Sequence, residues 1–451
     1  MFRHIVRPHV GLSLIVFLIF PIATPTAEAG DVFDLSSLYS LAIAHDPTLQ
    51  AARSRLQAEH ELSVQGRAGL LPHLELTGEQ AWERHWLDSR GNGDSQYGNQ
   101  TLAQLRLTQP LWHPQLWHTF QEGQLAATRA EVVYESARQQ LHHRLILAYL
   151  DILKSQVRLK VTESRLNAVK AQHAQAESRH RAGLTTRLES LQAEAELRRI
   201  QAERINIRGD VEDAYRQLEA LVGVTVWRLA PLADTFDPSQ ITLPSFDELT
   251  HSGLARSAAV QQSELALQQS AVATKRALAA HQPTLDFTLM TSQETNDIGH
   301  PRAVKVDRLR LALQLNMPLY TGGRVASTGR EARHRQSEAA ELLRAQISET
   351  RQQIERHHRQ WHHLQESISA ATSSLHAQQM TLAASERGYE AGVQDTVDVL
   401  QAQRAVFDAR LVLEEYRLDA IQALTSLKLA TGQLDLAFVL QLNEWMEVSH
   451  D

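Results

Sequence analysis

LRLALQLNMPLYTGGR, residues 309–324, makes every second residue apolar: Leu309, Leu311, Leu313, Leu315, Met317 and Leu319 alternate with Arg310, Ala312, Gln314, Asn316 and Pro318. A period of two puts the leucines on one face of a strand and a largely polar set on the other. About ten residues of this alternation suit a strand that crosses an outer membrane. The same pattern stands about 209 residues earlier in the chain. LTQPLW at 107–112 answers LNMPLY at 315–320, and GLLPHLELTG at 69–78 answers AHQPTLDFTL at 280–289. RAGL (181–184), LQAEAEL (191–197) and LVG (221–223) return as EAGV (390–393), LQAQRAV (400–406) and ATG (430–432). The chain is a tandem duplication, and two copies of one unit favour a symmetric assembly over a single enzymatic cleft.

Between the strands lies a different period. Ile347, Ile354, Trp361, Ile368, Leu375, Leu382 and Tyr389 fall every seventh residue, and Leu145, Ile152, Leu159 and Leu166 repeat the column in the first half. This is coiled-coil spacing. The pattern runs from 115 to 181 and from 324 to 388 without an internal proline, giving rods of about 65 residues and about 100 Å. The second column is mixed: Ala148, Ser155, Thr162 and Val169 in one half, His357, Leu364, Ala371 and Gln378 in the other. It fits a plain antiparallel helical hairpin, and equally a helix packed sideways on two neighbours around a wet interior. Each half therefore reads helix, strand, strand, long helix, helix. The boundaries are 30–223 for the first repeat, 224–244 for a linker, 245–432 for the second repeat and 433–451 for a tail.

Arg3 and Arg7, the apolar run Gly11 to Ile22 and the small-x-small Ala27-Glu28-Ala29 form a secretory signal over residues 1–29. No later run approaches the roughly 18 apolar residues of a spanning helix, so membrane entry requires a closed β-barrel. Four strands per chain are too few to close one. The strand regions are expected at 74–81 and 102–111, with polar loops over 88–99 and 291–302. Pro72, Pro110, Pro283 and Pro318 mark the four junctions of rod and strand, where neither helix nor ladder can use the missing N–H. Trp82, Trp86, Trp112 and Trp117 surround the first hairpin, as an interfacial aromatic belt would. The chain has no cysteine, so an exported protein of this kind draws its stability from long elements or subunit burial. A net charge of −7 argues against nucleic acid.

The turn after each rod carries the most informative local chemistry. Thr186 and Glu189 have capping-box spacing, and Asp395 and Asp398 stand at the equivalent positions. Gly183 and Gly392, followed by Leu184 and Val393, suit helix C-caps. His357, His358, His362 and His363 cluster, with one i, i+4 pair, but no HExxH pattern or carboxylate set accompanies them, and they read as solvated or pore-facing. Neither a phosphate loop nor a set of nucleophile, base and orienter is present, so no cofactor and no catalytic residue is expected.

The order αββαα twice behind a signal, with LPHLEL and QPTLDF, TQPLW and NMPLYTGGR, and GYEAGVQDTVDVLQAQRAVFDA at 388–409, resembles the TolC-type outer-membrane efflux proteins. The resemblance covers essentially all of the mature chain. It implies a homotrimer in the outer membrane, each chain giving four strands to a 12-stranded β-barrel and its rods to a periplasmic α-helical coiled-coil barrel. It also implies a periplasmic adaptor and an inner-membrane exporter, ABC-type or proton-driven, with cargo diffusing through the duct of an efflux or type I secretion system. By position, Asp398 matches a constriction aspartate, Glu189 an acid that bonds the tyrosine matched by Tyr389, and Gly183, Leu184, Gly392 and Val393 the adaptor-facing tips. Gln394 and Gln401 replace an arginine and a second aspartate of the family pattern, which implies a less acidic ring and a looser lock. The rival reading is a periplasmic coiled-coil scaffold or adaptor with a small soluble β domain, against which the Leu309 to Leu319 strand and the tryptophans count.

Overall fold

The computed structural model describes residues 32–89, 92–183, 186–233, 236–298 and 302–446. The expected signal segment and Leu184 lie outside the described residues. The first half runs α1 (Leu35–His45), α2 (Pro47–Ala68), β1 (His73–Ser89), β2 (Asn92–Trp112), α3 (Pro114–Arg181) and α4 (Arg187–Val222). The second runs α5 (Phe246–Arg256), α6 (Ala258–Ala279), β3 (Thr284–Asn296), β4 (Val304–Asn316), α7 (Arg324–Glu390) and α8 (Thr396–Ala430), followed by α9 (Leu436–Glu444). With 68 and 67 residues, α3 and α7 are each about 100 Å long. Their heptad columns are the packed ones: Leu145, Ile152, Leu166, Ile354 and Trp361 are buried, as are Ala148, Thr162, Val169, Leu364 and Ala371 of the second column. Both columns are covered because α3 lies against α2, α4, α6 and α8, so it is flanked on two sides.

The strands form one antiparallel sheet in the order β1-β2-β3-β4, with β1 and β4 as open edges. Register aligns Leu74, Leu107, Leu289 and Leu311 in one row across all four strands. The next residues along, Glu75, Arg106, Met290 and Arg310, form the adjacent row on the opposite face. Leu309, Leu311, Leu313 and Leu315 are 64–72% exposed, a continuous apolar band with no cover within the chain. The other face is polar and internally bonded, with Arg308 2.8 Å and Gln100 3.0 Å from Glu294.

The strands run well past the expected limits. β1 and β2 continue through much of the stretch assigned to a polar loop, and β3 extends to Asn296. Alternating hydrophobicity ends where the apolar band ends, but backbone pairing needs no apolar side chains, and the extension is carried by the ladder and by bonds such as Arg84 to Ser95 at 3.0 Å. Pro72 and Pro283 directly precede strands and Pro318 follows one, whereas Pro110 lies inside β2, where the register shifts. Trp82 and Trp86 sit on the extension, and Trp112 at the other end of the band; all three are exposed.

Midway along the rods, the linker and tail pack as core. Val226, Leu229, Ala230, Phe438, Val439 and Leu442 are buried with Leu35, Leu38, Tyr149, Leu418 and Ile421. Tyr149 donates its hydroxyl to Ala230 O at 2.6 Å, and Arg417 donates to Phe236 O at 2.7 Å. In this belt His142 is 1% exposed, with Nδ1 3.1 Å from Leu434 O and no partner for Nε2. Burial holds its pKa below the ordinary histidine value, and burial likewise lowers those of His143 and His357. A depressed folded pKa means that the unfolded chain takes the proton first as pH falls. The stability held by neutral His142 is therefore complete above the unfolded pKa of about 6.5 and is lost as pH drops towards its folded value. Melting temperature is expected to fall between pH 7.5 and 5.5, and less steeply in His142→Gln. An equal pH slope in both proteins would show that His142 does not carry the effect.

Candidate functional site at the helix tips

The hairpin turns α3–α4 and α7–α8 stand at the end of the rods away from the sheet. Each follows from local chemistry. Gly183 and Gly392 take left-handed φ values of +72° and +73°, which a side chain opposes, and so let each rod end and reverse. The amide of Gly392 donates to Tyr389 O at 3.1 Å and that of Val393 to Gly388 O at 2.9 Å, satisfying the last carbonyls of α7. No atom lies within 4 Å of a Cβ built on either glycine, and Val393 is 83% exposed. The tips are open, apolar-edged ends.

Both turns are capped, the first by a single bond and the second by a full capping box. Thr186 Oγ1 accepts from Glu189 N at 3.4 Å. Asp395 and Asp398 close a full capping box, the Asp398 amide donating to Asp395 Oδ1 at 3.0 Å and the Asp395 amide to Asp398 Oδ2 at 3.2 Å. Asp398 is exposed on the first turn of α8, Glu189 is half-buried at the corresponding place on α4, and Tyr389 is half-buried in the last turn of α7. Gln394 folds back over Gly388, its Oε1 only 3.0 Å from where a Cβ would stand there. Arg179 is the tip residue that sequence reading missed. Its guanidinium lies over the Tyr389 ring, 4.8 Å from the centroid, and joins the end of α3 to the end of α7. Arginine at a helix C-terminus is ordinary, so its sequence position gave no signal.

The histidine cluster brings together less than its spacing offers. His358 and His362 meet edge to face at 4.6 Å, with Phe246 beside His358. Among the described residues no group of three or more His, Asp or Glu could hold a metal ion. No described helix is long and apolar enough to cross a membrane.

A four-stranded sheet with one apolar face, continued by rods of about 100 Å with acidic capped tips, defines a segment of a membrane channel rather than an enzyme. The family profile described as "Outer membrane efflux protein" matches residues 38–224 and 249–433, and the chain belongs to that family. It is 25% identical over 418 residues to the alkaline protease secretion protein AprF of Pseudomonas aeruginosa, covering 90% of this chain and 86% of that one. It is 26% identical to the proteases secretion protein PrtF of Dickeya chrysanthemi, covering 96% and 95%, and 25% identical to the outer membrane protein TolC of Escherichia coli, covering 91% and 84%. In fold it is similar to the outer membrane protein VceC of Vibrio cholerae, with a TM-score of 0.76 at 19% identity, covering 88% and 96%, and to the outer-membrane channel OprN, with 0.78 at 17%, covering 88% and 90%. The protein is an outer-membrane exit duct with its helices extending into the periplasm, and it carries cargo without chemistry.

Proposed function

We propose that three copies pair their open edges β1 and β4 into one 12-stranded barrel, and that the same threefold axis gathers the rods into a continuous helical tunnel. The observation that carries this reading is the sheet: four long strands with an uncovered leucine band and two unpaired edges have a stable partner only in lipid and in further copies. The trimer receives cargo from an inner-membrane exporter, ABC-type or proton-driven, through a periplasmic adaptor that seats on Gly183, Leu184, Gly392 and Val393. The names of AprF and PrtF, both secretion proteins for proteases, support a type I secretion route.

At the tips, threefold symmetry turns Asp398 into a ring of carboxylates, with Glu189 and Tyr389 beside it as the gate. Such a ring favours cations. The purified protein in planar bilayers is expected to give small, cation-selective currents. Asp398→Asn, whose amide oxygen can still accept the Asp395 N–H, removes charge while keeping the cap; it is expected to abolish cation selectivity. If Asp398→Asn keeps the selectivity and only Asp398→Ala changes it, the residue acts as a helix cap alone.

A further inference from the structure

The hairpins α3–α4 and α7–α8 are fastened to each other by side chains that step down α3. Lys154 Nζ lies 2.7 Å from Asp419, and Arg158 Nε 2.7 Å from Glu415. Arg165, buried, reaches Glu196 of its own hairpin at 2.7 Å and Asp408 of the other at 4.0 Å. About four turns further on, the series ends at Arg179 over the face of Tyr389. This last contact differs in kind from those above it. It joins α3 to α7, helices that share α6 and α8 as neighbours rather than packing along each other. Among the described residues, no carboxylate lies within ion-pair distance of Arg179, so its ordered interaction at the tip is with the aromatic face.

We propose that the Arg179–Tyr389 cation–π pair is the terminal clasp that holds the α7–α8 hairpin against the end of α3 and so sets how far the tips splay. The proposal rests on the duct reading above and adds a positioning residue to it. Tyr389 has two handles: its hydroxyl serves the bond to Glu189 that the family resemblance implies, and its ring face serves Arg179. The two can be separated because phenylalanine keeps the face and loses the hydroxyl. The clasp also supplies a cation at the tip although position 394 is glutamine, and it does so from a helix end instead of the turn.

The test is conductance of the purified full-length protein in planar bilayers, with the heat-resistant oligomer checked on gels for every variant. Arg179→Ala and Tyr389→Leu are each expected to raise the open population by about two- to fivefold per clasp, the range expected of one solvent-accessible cation–π contact. Tyr389→Phe, which keeps the ring face and loses only the hydroxyl, is expected to open less than Tyr389→Leu, and Arg179→Lys to fall between wild type and Arg179→Ala. Wild-type currents with Arg179→Ala unchanged would overturn the clasp and leave the duct standing. So would a Tyr389→Phe channel as open as Tyr389→Leu, because the hydroxyl would then be the working group. No current from the wild type would overturn the duct, and the clasp with it.

Discussion

Leu311→Arg is expected to remove the protein from the outer membrane, while Arg310→Leu, one position away, is expected to leave it there. The two residues share a strand and neighbouring rows but face opposite ways. Leu311 belongs to the row Leu74, Leu107, Leu289, Leu311, between the exposed Leu309 and Leu313, near the middle of the apolar band. A guanidinium at the lipid-facing midplane of a barrel costs about 2–4 kcal/mol, and the threefold assembly proposed above would bear that cost three times. That is comparable to the whole stability of many folded domains, about 5–15 kcal/mol. Arg310 lies on the polar face in the row of Glu75 and Arg106, where leucine loses hydration but breaks no ion pair found among the described residues. Membrane fractionation and the heat-resistant oligomer on gels are the measurements. Leu311→Arg inserted at wild-type level would mean that this face does not meet lipid, and the scaffold reading would regain its ground.

That contrast was legible in the sequence because a strand exposes its alternation residue by residue. The rods were equally legible: heptads from Leu145 to Leu166 and from Ile347 to Tyr389 fixed the helices to within about two residues, since a seven-residue repeat without proline admits no other regular structure. Three features were not. The polar ends of the strands carry no hydrophobic signal, because they are held by backbone pairing whose partners lie on another strand. The linker and tail look like connectors, since Leu229, Ala230 and Phe438 have no period of their own and are buried only once α1, α3 and α8 surround them. Arg179 is one of many helix-end arginines, and only three-dimensional proximity singles out the ring it covers. The cap at Thr186 and the capping box at Asp395 belong to the legible part, being local. What they do beyond capping depends on symmetry, which a single chain does not display.

The duplication makes a last comparison possible, between two glycines at matching places. Gly223 ends α4 and Gly432 follows α8; both are left-handed, at φ +74° and +65°. Alanine at either position meets the same backbone penalty, about 1–3 kcal/mol for a side chain held in that region. Their surroundings differ. A Cβ on Gly223 would stand 2.2 Å from the His45 ring, which is exposed and can swing away. A Cβ on Gly432 would stand 2.4 Å from Arg256 O and 2.8 Å from Arg256 C, backbone atoms at the junction of α5 and α6 that cannot move alone. Overpacking of this kind adds about 1–3 kcal/mol. Gly223→Ala is therefore expected to lower stability by about 1–3 kcal/mol and Gly432→Ala by about 2–6 kcal/mol, read as melting of the purified protein by circular dichroism. Equal losses would mean that the left-handed turn alone explains both glycines. A larger loss at Gly432 would show that the second repeat closes on its own first helices more tightly than the first does. The buried cluster of Leu249, Ile354 and Leu427, where α5 meets α7 and the end of α8, is what that closure holds together.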